Sequence, residues 1–337
     1  MPRSPGLVTK QPLDIGVMTE AFPQLFAGAL YAMLLGVHNP EDYGVPQMRS
    51  VPGSPMNQAT KDPIRLSLAH LTVIDADPLT LIDTAAAGRF DAVGLRIVAP
   101  MPTDQIVPVI GNARLIGEIE QRLDSTGVRI LDIEAVWLMP HSDVTALRPA
   151  LELGARLGAK YVLVVGNDPD WARQRDNFAS LCELAREAGL GIALELMSYV
   201  ELRTLSQARQ LLDQVRWPNA GLLIDALHFY RSGAHPRDLA GIDPSLFPYI
   251  HLCDAYAAAP DAAGLRTEGR SGRFYPGEGE LPLGEFLRAF PDHIPVAVEA
   301  PCAEYAGLSP LERGRICGAA TRALLSGVRD PSSRPLR

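Results

Sequence analysis

Residues 191–227, GIALELMSYVELRTLSQARQLLDQVRWPNAGLLIDAL, contain two short apolar runs separated by a stretch of helical periodicity. The runs GIALELM (191–197) and AGLLIDAL (220–227) have strand length and few polar residues, as strands covered on both faces do. Between them Leu205, Ala208, Leu211, Leu212 and Val215 recur at three- and four-residue intervals, the signature of a helix with one buried face. Strand, helix and strand in that order make a βαβ unit, whose crossover joins parallel strands.

The same alternation extends outward from about Ile64 to Ser326. Further strands are expected at 64–71 (IRLSLAHL), 92–98 (AVGLRIV), 128–138 (VRILDIEAVWL), 161–166 (YVLVVG), 249–255 (YIHLCDA) and 295–301 (PVAVEAP). Helices are expected at Leu79–Ala87, Asn112–Ser125, Val144–Leu157, Trp171–Ala188, Glu201–Val215, Leu283–Phe290 and Pro310–Leu325, with a weaker one near Pro236–Ala240. Gly127, Gly158 and Gly189 stand where helices hand over to strands. Eight strands with crossover helices close into a (β/α)₈ barrel, the TIM-barrel architecture. The rival, a doubly wound open sheet, usually carries a Gly-rich phosphate loop after its first strand, and His70-Leu71-Thr72-Val73 is not one.

The expected division is an N-terminal extension or linker at 1–62, a barrel at 63–328 and a tail at 329–337. Residues 38–62 have the Pro, Gly, Ser, Asn and Gln content of a linker. The apolar run 21–37 lacks a basic flank and a clear cleavage site, and is short for a membrane span, so it is read as a docking or poorly ordered helix. Met48 or Met56 is an alternative native start. A net charge of −8 and the lack of basic runs argue against nucleic-acid binding. The four cysteines are scattered through apolar segments, which suits a reduced, cytoplasmic protein with no membrane partner and possible homo-oligomers.

In such a barrel, chemistry sits where strands run into their following loops. Four successive strands place a titratable residue there: Glu195, Asp225, His251 and Glu299. Singly, each reads as a structural carboxylate or a core histidine. Together they bring three carboxylates to one place with no Lys or Arg on the same strands, an arrangement that a divalent cation relieves. Three oxygen ligands and an imidazole suit Mn²⁺, the expected ion, with Mg²⁺, Co²⁺ or Zn²⁺ as alternatives.

The ordered Glu, Asp, His, Glu set resembles the sugar phosphate isomerase/epimerase group of the xylose isomerase-like barrels. Asp225-Ala-Leu-His228 is similar to that family's Asp-x-x-His, His251-Leu-Cys-Asp254 to its His-x-x-Asp, and Tyr275-Pro-Gly-Glu-Gly-Glu280 to its Pro-Gly-Glu-Gly turn. The resemblance covers about 64–326. It implies that Glu195 and Glu299 are both ligands and acid/base groups. One would take a proton from the carbon beside a metal-polarised carbonyl, and the other would return one. It also implies that His228 contacts a substrate oxygen.

The family's ketose epimerases often have an Arg six residues after the metal histidine, and here that position is Ala257. The loop 257–280 carries Arg266, Arg270 and Arg273 instead, and Arg273 is the expected substrate contact. Other strand ends offer His70, Arg96, Glu134, Trp137 and Asn167. Of these, His70, Arg96 and Trp137 are candidate contacts to a carbohydrate or cyclic-polyol substrate. Arg96 is suited either to a substrate carboxylate or phosphate, or to an ion pair with Glu134 on the next strand.

Three other activities compete with the isomerase or epimerase reading. A metal-dependent lyase, such as a 3-dehydroshikimate or inosose dehydratase or a C-glycoside-cleaving enzyme, uses the same carboxylates. The superfamily's DNA-repair endonucleases need further histidines that strands 2 and 3 do not carry. A non-catalytic sugar-binding protein has no need for two carboxylates at acid/base positions.

Overall fold

The structure, a computed structural model, describes residue 63, residues 65–101 and residues 103–329. The expected N-terminal extension lies outside these residues, as does the expected C-terminal tail after residue 329.

Eight parallel strands close into a barrel in chain order. They are β1 (Leu66–Leu68), β2 (Ala92–Arg96), β3 (Arg129–Leu138), β4 (Tyr161–Gly166), β5 (Gly191–Glu195), β6 (Ala220–Asp225), β7 (Ile250–Leu252) and β8 (Val296–Val298). Nine helices of the described residues surround them: α1 (Pro78–Ala87), α2 (Ala113–Thr126), α3 (Arg148–Arg156), α4 (Trp171–Glu187), α5 (Leu205–Val215), α6 (Ala226–Arg231), α7 (Gly264–Ser271), α8 (Leu283–Arg288) and α9 (Pro310–Arg329). The barrel closes where β1 pairs with β8, Ser67 opposite Ala297.

Strand alternation sorts the core into two clusters. Val162 and Val164 of β4, Ile192 and Leu194 of β5, Leu222 and Ile224 of β6, and Ile250 and Leu252 of β7 face the helical shell. They meet helix residues there such as Phe178, Leu181, Leu211 and Phe286. The intervening residues Leu163, Val165, Ala193 and Leu223 belong to the barrel interior, with Trp137, Tyr249 and Ala297. Continuing the period of two, Glu195, Asp225, His251 and Glu299 fall on the interior side.

Helix ends follow from local chemistry. Thr204 and Gln207 form a reciprocal capping box, so α5 starts at Leu205 rather than at Glu201. Asp143 caps a 3₁₀ turn, Val144–Leu147, and α3 begins only after it. The weak helix near 236 is a 3₁₀ turn, Pro236–Leu239. Positive φ values of 73° at Gly127 and 81° at Gly158 bear out their role as helix terminators.

Two further elements differ from the sequence reading. Strand 6 ends at Asp225 because that side chain caps α6, its Oδ1 accepting the His228 N–H at 2.9 Å. The loop 257–280 contains a helix, α7. Beyond it, the chain is anchored by Asp254, whose Oδ2 accepts the Gly277 N–H at 3.1 Å and whose Oδ1 accepts the Leu281 N–H at 3.0 Å. The Phe274 N–H donates to the Asp254 carbonyl at 2.8 Å, and the Asp254 N–H to the Phe274 carbonyl at 2.9 Å. The Pro-Gly-Glu-Gly turn and the aspartate after His251 are therefore one device, which fixes Arg273.

A side chain at Gly279 would put its Cβ 2.5 Å from Asp254 Oδ1 and 2.6 Å from the Ala255 carbonyl. Asp254→Ala leaves buried N–H groups unpaired and is expected to cost about 2–3 kcal/mol. Gly279→Ala is expected to lower the Tm in thermal unfolding as well. An unchanged Tm in both variants would show that the turn is not anchored in this way.

Candidate metal centre and active-site cavity

Cross-strand register and side-chain length bring the four interior residues together. Asp225 is level with His251 across β6 and β7, His251 with Ala297 across β7 and β8, and Glu195 with Leu223. His251 Nδ1 lies 3.3 Å from Glu195 Oε1, 3.7 Å from Glu299 Oε2 and 3.8 Å from Asp225 Oδ2. One ligand atom from each of the four residues lies within 4.8 Å of the others. All four side chains are buried. Glu195 Oε1 and both His251 ring nitrogens have no hydrogen-bond partner among the described residues.

Such convergence of acids has electrostatic consequences. Burial lifts the Glu195 carboxyl to about 7, with Glu299 adding to the rise. Burial alone would depress His251, but the carboxylates of Glu299, Glu195 and Asp225 push it up to about 10.

Sequence reasoning missed the counter-ion because it comes from a loop and not from a strand. Arg273 enters from the end of α7 and is 1% exposed. Its Nη1 donates to Asp225 Oδ2 at 2.7 Å and to the Glu299 carbonyl at 2.8 Å, and its Nε to the Gly269 carbonyl at 2.8 Å. Nη2 sits 2.9 Å from Glu299 Oε2. Although burial would raise Asp225, Arg273 and the neighbouring histidines hold its carboxyl below the usual range. Arg273, read from sequence as a substrate contact, reaches the cavity wall with every nitrogen occupied by protein. Its observed contacts are those of an internal counter-ion.

Two histidines also part from expectation. His228 Nε2 faces Arg273 Nη2 at 3.3 Å and its Nδ1 faces Ser198 Oγ at 3.2 Å, with Tyr199 edge-on at 5.3 Å. Burial lowers its pKa to about 3, so the ring is neutral, accepts from Arg273 and donates to Ser198. Neither nitrogen is left to contact a substrate oxygen. His70 Nδ1 accepts the Arg96 N–H at 3.1 Å and its Nε2 donates to the Ala76 carbonyl at 2.9 Å. Burial lowers it to about 4, and the ring braces β2 instead of facing the cavity.

The cavity at the centre is walled by Arg96, Trp137, Tyr199, Arg270, Glu195 and Glu299, among others. Arg96 and Trp137, candidate substrate contacts from sequence, are among its lining residues. Of the four clustered residues, Glu195 and Glu299 line the cavity, while Asp225 and His251 lie behind them. Arg266 lies 5.8 Å over Trp137 and 5.5 Å over Tyr199, and Arg270 pairs with Asp104 at 3.0 Å. Arg231 is paired with Glu268 at 2.7 Å, so α7 is tied down over this region. Tyr199 and Asp104 carried no sequence signal, because both lie in loops without a motif. A larger open groove beside α5, lined by Arg209, Asp213 and Asp238, shares no residue with the cluster.

His251 makes stability depend on pH in a defined direction. Its folded pKa, about 10, exceeds its unfolded value near 6.5, so the folded state holds the extra proton between them. The metal-free protein is therefore expected to lose stability as pH rises from about 7 to about 9. A divalent ion that displaces this proton should raise the Tm by a larger margin at the higher pH. Thermal unfolding with EDTA and with Mn²⁺ across that range tests both. A stabilisation by Mn²⁺ that shrinks as pH rises would contradict the assignment.

The chain is similar to several known proteins. The inosose isomerase of Bacillus subtilis (strain 168) is 27% identical over 159 residues, which are 43% of this chain and 54% of that protein. The 3-dehydroshikimate dehydratase of Pseudomonas aeruginosa is 28% identical over 144 residues, 40% of this chain and 22% of that protein. The chain thus spans about half the length of the first relative and less of the second. Two solved structures share the fold. The IOLI protein with a bound zinc atom has a TM-score of 0.66 at 21% identity, covering 79% of this chain and 100% of that one. The D-allulose 3-epimerase of Methylomonas sp. has a TM-score of 0.57 at 16% identity, covering 78% and 97%. The description "Xylose isomerase-like TIM barrel" matches residues 82–314, well over half of the chain, which therefore belongs to the xylose isomerase-like TIM-barrel family.

Proposed function

We propose that this chain is a divalent-metal-dependent isomerase or epimerase of sugar-like hydroxy-carbonyl compounds. One observation carries the reading: three carboxylates and an imidazole, all buried, offer ligand atoms within 4.8 Å of one another at the C-terminal mouth of the barrel. Glu195, Asp225, His251 and Glu299 would hold the ion. The unpartnered Glu195 Oε1 and one of the unpartnered His251 nitrogens fit that role, since buried polar atoms otherwise require partners. When bound, a divalent ion supplies Lewis acidity that polarises a carbonyl and acidifies the neighbouring C–H. Mn²⁺ is the ion we favour, and the zinc in the IOLI structure makes Zn²⁺ the first alternative.

The chain's own residues divide the remaining work. Glu195 and Glu299 face the cavity, so these two exchange protons with substrate carbon. Glu195 takes a proton from the carbon beside the carbonyl, leaving an enediolate. Glu299 returns a proton, to the other face of the same carbon for epimerisation or to the former carbonyl carbon for isomerisation. Asp225 and His251 stay behind as ligands. Arg273 pairs with both Asp225 and Glu299 and fixes where their carboxyl groups point, and His228 supports Arg273 as a neutral acceptor. Trp137 and Tyr199 form a wall beside which α7 shuts out water.

A second reading, a dehydratase of a ring hydroxy-ketone, is favoured by the arginines that line the cavity. It uses the same proton abstraction followed by loss of a β-hydroxyl. The named relatives include both chemistries, inosose isomerase and 3-dehydroshikimate dehydratase. Among the described residues no helix is long and apolar enough to cross a membrane. We take the substrate to be a small molecule.

Incubation with Mn²⁺ and a panel of ketoses and ring ketones in D₂O is expected to place deuterium on the carbon beside the carbonyl. Loss of water with a new enone absorbance would select the dehydratase. Glu195→Gln and Glu299→Gln are each expected to lower kcat by about 10²–10⁴-fold. They should retain more bound metal than His251→Ala. Full turnover in either Gln variant would remove that residue from the proton path, and no exchange across the panel would reject the reaction class.

A further inference from the structure

Three arginines line the cavity: Arg96, Arg270 and Arg273. Two have carboxylate partners within the protein, Arg270 with Asp104 at 3.0 Å and Arg273 with Asp225 at 2.7 Å and Glu299 at 2.9 Å. Arg96 differs. Its side chain is 6% exposed, and its Nε has no hydrogen-bond partner among the described residues. None of the ion pairs among those residues includes it. Glu134, level with Arg96 across β2 and β3, gives its Oε1 to the His70 N–H at 2.5 Å instead. Glu134 and Asp132 are drawn toward Gly94, where a Cβ would lie 3.0 Å from an oxygen of each. The ion pair between Arg96 and Glu134, one of the two expectations from sequence, does not form.

A guanidinium cannot shed its charge when buried, as a lysine can, so it needs an anion or water. Arg96 is also pinned, because its own backbone N–H is bonded to His70 Nδ1 at 3.1 Å. Arg96 is thus a fixed, buried cation that acts on the Glu134 carboxyl through space but has no ion pair with a carboxylate among the described residues; on the wall that also carries Glu195 and Glu299, its Nε is left to meet a charged ligand.

We propose that Arg96 binds a carboxylate of the substrate, so that the molecule processed here is a hydroxy-carbonyl carboxylic acid and not a neutral sugar. A carboxylate matches the two parallel N–H groups of one guanidinium fork. A phosphate dianion calls for several cationic donors, and the other two lining arginines are already paired. The apolar wall of Leu71, Pro100 and Trp137 suits one face of a ring between the carboxylate end and the reacting carbon. This inference deepens the reading of the cavity as the active site and rests on it.

The test is calorimetric binding to the Mn²⁺-loaded full chain, with 3-dehydroshikimate, its uncharged methyl ester and a neutral inosose as probes. The acid is expected to bind about 30-fold tighter than the ester, the worth of one charge-assisted hydrogen-bonded pair. Arg96→Gln should lower acid affinity to that of the ester and leave the ester unchanged. Arg96→Lys should recover part of the preference. Thermal unfolding and metal content report whether each variant is intact, and the acid–ester comparison on the unaltered chain stands without them. Equal binding of acid and ester, or binding of inosose alone, or of none of the three, would overturn the role of Arg96. Deuterium exchange into inosose would in that case leave the proposed metal chemistry standing. Tight acid binding without exchange into any probe would overturn the chemistry and leave the carboxylate site standing.

Discussion

Three buried carboxylates around one imidazole cannot persist in a barrel core without positive charge, and the rest of the site is arranged around that constraint. Part of the charge comes from Arg273, which joins Asp225 to Glu299 and uses every donor it has. A protonated His251 supplies more when no ion is bound. Neither arrangement gives Glu195 Oε1 or the His251 nitrogens a hydrogen bond. A divalent ion would take Glu195 Oε1 and one His251 nitrogen as ligands and displace the proton that this nitrogen carries.

Local geometry turns a strand pattern into this site. Strand alternation points the four residues inward, and Asp225 then does three things at once. It ends β6, caps α6 through Oδ1 and receives Arg273 at Oδ2. The spacing from Asp225 to His228 is a capping spacing, and it delivers a neutral imidazole to the far side of the same guanidinium. Asp254 and the turn at 275–280 act similarly at a distance, since their hydrogen bonds fix the segment that carries Arg273 inward. Motifs that look separate in sequence thus converge on one charge balance.

The barrel and the four clustered residues were legible because they follow from period-two alternation, and any strand that points Ile192 and Leu194 outward must point Glu195 inward. What was not legible depended on partners distant in the chain. Arg273 read as one of three loop arginines, and nothing local revealed that it would be buried against Asp225. His228 and His70 stood at plausible strand ends, but their ring nitrogens are taken by Ser198, Arg273 and backbone groups that only the closed fold brings near. Arg96 was left between two roles, since register put Glu134 opposite it. In the fold Glu134 Oε1 accepts from the His70 N–H, and no ion pair with Arg96 forms. Helix α7 was hidden because Gly264–Ser271 is short and mostly polar and carries two glycines, Gly264 and Gly269, which are poor helix formers.

The central claim is that these four side chains share one cation. Anomalous diffraction from crystals grown with Mn²⁺, collected on the short-wavelength side of the manganese edge, tests it directly. The account predicts one strong peak about 2.0–2.4 Å from oxygen atoms of Glu195, Asp225 and Glu299 and from a ring nitrogen of His251. A peak elsewhere in the barrel, or none while Arg273 remains against Asp225 and Glu299, would contradict it.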